Sequence, residues 1–150
     1  MALAAVVGIT SSAAAASFSI NESSALTGGP FGTVTLTDIS GGGVTVDITL
    51  NSPFKFVQTG SPAPGNHPGF AFNLNPGIAI TNANITYNSG SNGTWTFYDV
   101  HTSPKAMSDN YGTYMYAFYC TSCDSGGSTP NPGPLNFSLT ILSLTSSNFI

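Results

Sequence analysis

Few side chains in this sequence could do chemistry. The cysteines are Cys120 and Cys123, the histidines His67 and His101, and the carboxylates Glu22, Asp38, Asp47, Asp99, Asp109 and Asp124. A zinc site needs about four ligands. Only the two histidines could complete one with the CxxC pair, and each stands in a loop-like stretch far away in sequence. A redox pair needs a thiolate stabilised by a helix N-terminus or a nearby cation, and Cys120 closes the strand-like run YMYAFYC with neither. In an oxidising compartment the two sulfurs would bond to each other and close a short loop, so a Cys120–Cys123 disulfide is expected. The nucleophile-elbow pattern G-x-S-x-G is absent, so nothing anchors a serine triad. A glycosidase needs two carboxylates facing across a cleft. Here Asp47 sits on the polar side of a strand-like run, Asp38 at a turn, and Asp99, Asp109 and Asp124 in loops, where Asp favours turns in any case. The spaced acidic residues of a calcium loop are missing too. No catalytic residue, metal or cofactor is expected.

Aromatic rings are the better binding candidates. Trp95, Tyr98, Tyr111, Tyr114, Tyr116 and Tyr119 cluster in the second half of the chain. Exposed rings stack on sugars through the sugar C–H groups, and Tyr98, Tyr111, Tyr114 and Tyr116 are the candidate carbohydrate-binding residues. Against this, strand alternation buries every second residue. If Trp95 and Phe97 point inward, only Thr94, Thr96 and Tyr98 of that run point out.

The elements that must position these residues are strands. Val34 and Leu36 alternate with Thr33, Thr35 and Thr37. Ser40-Gly41-Gly42-Gly43 turns the chain, and Val44, Val46, Ile48 and Leu50 alternate with Thr45, Asp47 and Thr49. That pattern is a hairpin with one apolar and one polar face, antiparallel because its turn is too short for a crossover. Phe54 and Phe56 continue the period-2 pattern. Phe70-x-Phe72-x-Leu74, Ile85-x-Tyr87, Thr94–Tyr98, Tyr114–Cys120 and Leu135–Ile141 follow as strands, with Leu144 extending the last, and Asp99–Gly112 reads as a looser connection. Gly/Pro/Asn-rich stretches separate them, and no segment shows a capped helical period. The fold class expected is all-β, an antiparallel two-sheet β-sandwich of about eight or nine short strands. Val34, Leu36, Val46, Ile48, Phe72, Trp95, Phe137 and Leu139 should be buried.

Composition narrows the functional classes. Charged residues are 5% of the 150, where about 25% is usual. Lys55 and Lys105 are the only cations, too few to neutralise a row of phosphates or to form a polybasic membrane patch. Nucleic acid is therefore excluded as a partner. With 20 serines, 18 threonines and 13 asparagines, hydroxyls and amides must hydrate the surface. Such surfaces repel one another weakly, which suits a setting where association is tolerated. Residues 1–17, MALAAVVGITSSAAAAS, are apolar, then small, and end in an alanine run that fits a signal-peptidase site near Ala15 or Ala16. They are expected to be a leader truncated at its start, with residues 18–150 as a single domain; the competing reading is an ordinary apolar strand or helix in the core. No segment reaches the ~20 apolar residues of a spanning helix. The final Asn148-Phe149-Ile150 reads as mid-strand, so a domain incomplete at its C-terminal end is expected.

Three stretches together resemble a known family. They are Gly32–Leu50 (GTVTLTDISGGGVTVDITL), Phe70–Leu74 (FAFNL) after the run Phe56–Gly60 (FVQTG), and Cys120–Phe137 (CTSCDSGGSTPNPGPLNF). In this order and spacing they resemble the extracellular β domain of PEP-CTERM (exosortase-sorted) bacterial surface proteins. The resemblance implies export, sorting to the cell envelope and association with exopolysaccharide or biofilm matrix, with no shared catalytic residues. The Pro-Glu-Pro motif, apolar helix and basic cluster of the family's sorting signal are not in the sequence. The expected partners are exopolysaccharide or the protein itself, through sheet edges or faces.

Overall fold

A computed structural model describes residues 13–21, 28–57, 67–100, 106–108, 112–123 and 129–150. The described residues form ten strands: β1 (Ala15–Ile20), β2 (Gly32–Asp38), β3 (Val44–Leu50), β4 (Phe70–Phe72), β5 (Ile85–Tyr87), β6 (Trp95–Asp99), β7 (Ala106–Ser108), β8 (Gly112–Tyr114), β9 (Tyr116–Cys120) and β10 (Leu135–Leu139). The only helical turns among them are single 3-10 turns at Asn82–Asn84 and Ser146–Asn148. Five strands make one antiparallel sheet in the order β1-β2-β3-β10-β5, three make a second in the order β4-β9-β6, and β7 and β8 pair as a small ribbon.

The hairpin expected from the Thr/Val alternation is β2–β3, with Val34 opposite Ile48 and Leu36 opposite Val46. Its turn needs glycine: Gly41, Gly42 and Gly43 all take positive φ, at 90°, 109° and 115°. Gly43 also hydrogen-bonds through its N–H to Leu144 O at 3.0 Å, so the turn packs against the chain leaving β10.

The two sheets meet through aromatic rings. Phe118 of β9 lies 4.3 Å from Phe137 of β10, centroid to centroid, and Phe72 of β4 is 6.4 Å from Phe137. Leu36, Val46, Ile48, Leu135 and Leu139 fill the layer from the five-stranded side. β9 is central in its sheet and buried along its whole length. Tyr116, Phe118 and Cys120 face the main core, while Ala117 and Tyr119 join Val100 in a second cluster on the sheet's other side.

Several details depart from the sequence pattern. Val34 is half-buried rather than buried, because it lines an open cavity with Phe18, Phe70, Phe72 and Phe149 instead of packing closely. Chain reversal at Ser52-Pro53 ends the alternation before Phe54; Phe56 makes only an isolated bridge to Asn131, and Lys55 lies in no strand. A bend at Met115 splits Tyr114–Cys120 into β8 and β9, and β7 occupies part of the expected loose connection. Leu144 is buried, but a turn at Leu142–Ser143 separates it from β10. Ala15, Ala16 and Ser17 belong to β1, paired with Thr37, Leu36 and Thr35, and Ala13 and Ala14 lead into it; residues 1–12 of the expected leader lie outside the described residues.

Candidate functional site

The feature with the most extended order is the outer face of the five-stranded sheet. Registers place its side chains in three rungs. Ala15, Thr37, Thr45, Ser138 and Thr86 form the first, Ser17, Thr35, Asp47 and Asn136 the second, and Ser19, Thr33 and Thr49 the third. Apart from Ala15, every side chain is a hydroxyl, an amide or the single Asp47 carboxylate. Strand geometry spaces them roughly 4.8 Å across the sheet and about 6.7 Å along it.

The rungs are internally connected. Ser17 Oγ and Thr35 Oγ1 are 3.4 Å apart, and Thr45 Oγ1 and Ser138 Oγ 3.3 Å. Asn136 Nδ2 donates to Asp47 Oδ2 at 3.0 Å, and Thr49 Oγ1 donates to Asp47 Oδ1 at 3.3 Å. Asn88 Nδ2, beyond the end of β5, donates to Asn136 Oδ1 and, at 3.2 Å, to Ser138 Oγ. Both Asp47 oxygens are thus occupied by neutral donors, which leaves the carboxylate as an orienting group for the face. Each hydroxyl keeps capacity beyond these contacts, since it carries one donor and two lone pairs.

The four candidate aromatic residues separate. Tyr116 lies in the core with no exposed surface. Its hydroxyl donates to Ile78 O at 3.0 Å and accepts from Ile80 N at 3.4 Å, and burial raises its pKa. It cannot stack on a ligand: the bend at Met115 resets the alternation and sends Tyr116 inward. Tyr98 and Tyr114 are both half-buried and pack against the cluster of Val100, Ala117 and Tyr119 on the outer side of the three-stranded sheet. Tyr98 meets Tyr119 edge-on at 5.2 Å. Tyr111 lies outside the described residues, as do His101, Lys105, Glu22, Asp109 and Asp124.

Cys120 and Cys123 are joined, with sulfurs 2.02 Å apart and Cα atoms 5.2 Å apart. The turn that brings them together carries a Cys123 N–H to Cys120 O hydrogen bond of 3.1 Å. The bond belongs to a plug closing one end of the sandwich. Phe56 meets Trp95 edge-on at 5.2 Å, and Asn131, buried, donates from Nδ2 to Asn92 O at 2.8 Å while its Oδ1 accepts from Gly133 N at 2.7 Å. Trp95 Nε1 donates to the same Asn92 carbonyl at 2.9 Å. Among the described residues no three His, Cys, Asp or Glu side chains come together, and no helix is long and apolar enough to cross a membrane.

Sequence reasoning saw only part of this site. The Thr-x-Thr repeats of the hairpin mark its polar side, but Ser17 falls within the expected leader and nothing local to Leu135–Ile141 ties Asn136 and Ser138 to the hairpin. Alternation identifies a polar face strand by strand; which strands lie side by side is a matter of long-range register.

No family model, curated protein or solved structure matches the chain.

Proposed function

We propose that this is a non-catalytic, exported surface or matrix protein, of the kind its resemblance to PEP-CTERM proteins implies, whose five-stranded sheet presents a hydroxyl-lined face to neutral polysaccharide. The observation that carries this reading is the set of three rungs of Ser, Thr and Asn, broken only by Ala15 at the edge, with one neutral-capped carboxylate. A neutral polyol exchanges hydrogen bonds with such a face much as water does, so each contact adds little net energy. Affinity then comes from repetition along an extended polymer. With so few charges the binding should be nearly indifferent to salt. The buried disulfide suits an oxidising compartment, which supports export.

The test is retention of the purified domain on a panel of immobilised neutral and acidic polysaccharides. Retention by a neutral polymer, unchanged by added salt and lost on Thr35→Val with Thr45→Val, is the expected result. Those substitutions keep β-branched shape and remove only hydroxyls. No retention on any polymer, or release of shortened sugars, would overturn the reading. A second reading, a carbohydrate-binding module using aromatic rings, is favoured by one observation: Tyr98 and Tyr114 share one cluster on the opposite sheet. Loss of retention on Tyr98→Ala with the threonine variants unaffected would select it.

A further inference from the structure

β1 is an edge strand of the five-stranded sheet. At six residues it is twice the length of β5 on the opposite edge, which has three. Edge strands are normally protected by lysine, proline or inward-pointing charge. The β1 sequence AASFSI has none of these.

The register says which backbone groups face outward. Asp38 N donates to Ala14 O at 2.9 Å, and Ala16, Phe18 and Ile20 pair with Leu36, Val34 and Gly32. Hydrogen-bonded pairs alternate along an antiparallel ladder. The even-numbered residues therefore spend their backbone groups on β2. Ala15, Ser17 and Ser19 turn their N–H and C=O toward the open side, where no described residue pairs with them. The same alternation puts Phe18 on the apolar side, 52% exposed. There it rims a cavity of about 190 Å³ between the sheets, lined also by Val34, Leu36, Phe70, Phe72 and Phe149.

We propose that β1 is a dimerisation strand, pairing antiparallel with β1 of a second copy across a two-fold axis at Ser17 and so joining two five-stranded sheets into one. Ser17 is the middle of the three outward-facing residues, so an axis there engages all of them. Ser17 meets Ser17 of the second copy, and Ala15 meets Ser19 in both directions, each as a hydrogen-bonded pair of two bonds. The register also sets Phe18 opposite Ala16 of the second copy, a large side chain over a small one, at the mouth of the apolar cavity. It brings hydroxyl face next to hydroxyl face and apolar face next to apolar face. No ionisable group lies in Ala15–Ile20 to oppose its own image, which is why a second copy, rather than a charged partner, fits this edge. The inference rests on the reading of an exported surface protein and requires that any leader end before Ala15, since cleavage at Ala15 or Ala16 would take away part of β1; dimerisation and polysaccharide retention are measured separately, and either can fail alone.

The experiment is sedimentation of the full chain over a concentration series, with substitutions at Ser17. The full chain is needed because removing residues through Ala15 leaves only the Ser17 pair. The mass should rise from 15.3 kDa toward twice that value. Ser17→Pro deletes the outward N–H at the axis, a position where an edge tolerates proline, and should give a monomer with unchanged circular dichroism. Ser17→Ala, which keeps the N–H, should still dimerise. Ser17→Cys should cross-link two copies on mild oxidation, since Cα atoms of a hydrogen-bonded pair lie about 5.5 Å apart and both native cysteines are already bonded to each other. If Ser17→Pro fails to fold, the cross-link and concentration-dependent slowing of Ser17 amide exchange still decide the matter. A wild-type monomer at high concentration, or a dimer that survives Ser17→Pro in a folded protein, would overturn the proposal.

Discussion

Asn131 is the residue on which the closed end of the sandwich turns. It is the one buried side-chain amide among the described residues, and it is used on both sides, by Asn92 O and Gly133 N. A buried amide is tolerated only when paired. Asn131→Ala removes a donor from Asn92 O, leaves Gly133 N unsatisfied, and should lower unfolding free energy by about 1–3 kcal/mol in a urea titration. Tyr119 offers a different measurement. Burial, with a smaller contribution from the neighbouring Tyr98, pushes its pKa from 10.0 up to about 12. Between those values the unfolded chain has released this proton and the native protein has kept it. The native state then binds more protons, so stability is full below pH 10 and falls as the pH rises toward 12. Tyr119→Phe should flatten this alkaline loss in thermal melts taken from pH 9 to 12, and an unchanged slope would argue against burial as its cause.

Elements with strict alternation were legible from sequence, and those set by neighbours were not. Val44, Val46 and Ile48 are buried in β3 as their spacing requires, and so are Leu135, Phe137 and Leu139 in β10. The central position of β9 was not legible. A strand covered on both faces loses its period, and YAFYC reads equally well as half-exposed. Nor was β1, whose small residues satisfy a signal-peptidase site as well as a sheet edge. The disulfide was legible because the chain has only two cysteines, and an oxidising compartment joins them to each other. Of the candidate aromatic site, Tyr116 was misplaced because one bend at Met115 inverts the faces of everything after it. The β2–β3 turn gives this scale its prediction. Gly43 has φ of 115°, and a Cβ there would lie 2.4 Å from Leu139 O. Gly43→Ala combines a backbone conformation that L-residues avoid with a clash against backbone that cannot swing away. It should cost about 1–3 kcal/mol or more. Gly41 has similar φ but open space around it, so Gly41→Ala should cost less, and denaturant midpoints of the two variants would show the order.

For the whole molecule, the unequal sheets connect face to edge. β1 is an edge of the larger sheet, and the layer beside it is loosely filled, which leaves Val34 half-buried and Phe18 exposed. β1 carries both the open edge and one end of each hydroxyl rung, Ser17 and Ser19 included. If two copies join at Ser17, the rungs run on from one molecule into the next and the polar face doubles without any new contact to sugar. Linked sites bind a polymer more tightly than separate ones because the second engagement is intramolecular. The dimer should therefore bind a long neutral polysaccharide at least roughly tenfold more tightly than the monomer, and a short oligosaccharide no more tightly. Ser17→Pro against Ser17→Ala is the right comparison, since both lose the same hydroxyl and only the first loses the edge donor. Isothermal titration with long and short chains of one sugar would show the difference. Equal affinity of the two variants for the long polymer would mean that edge and face work independently.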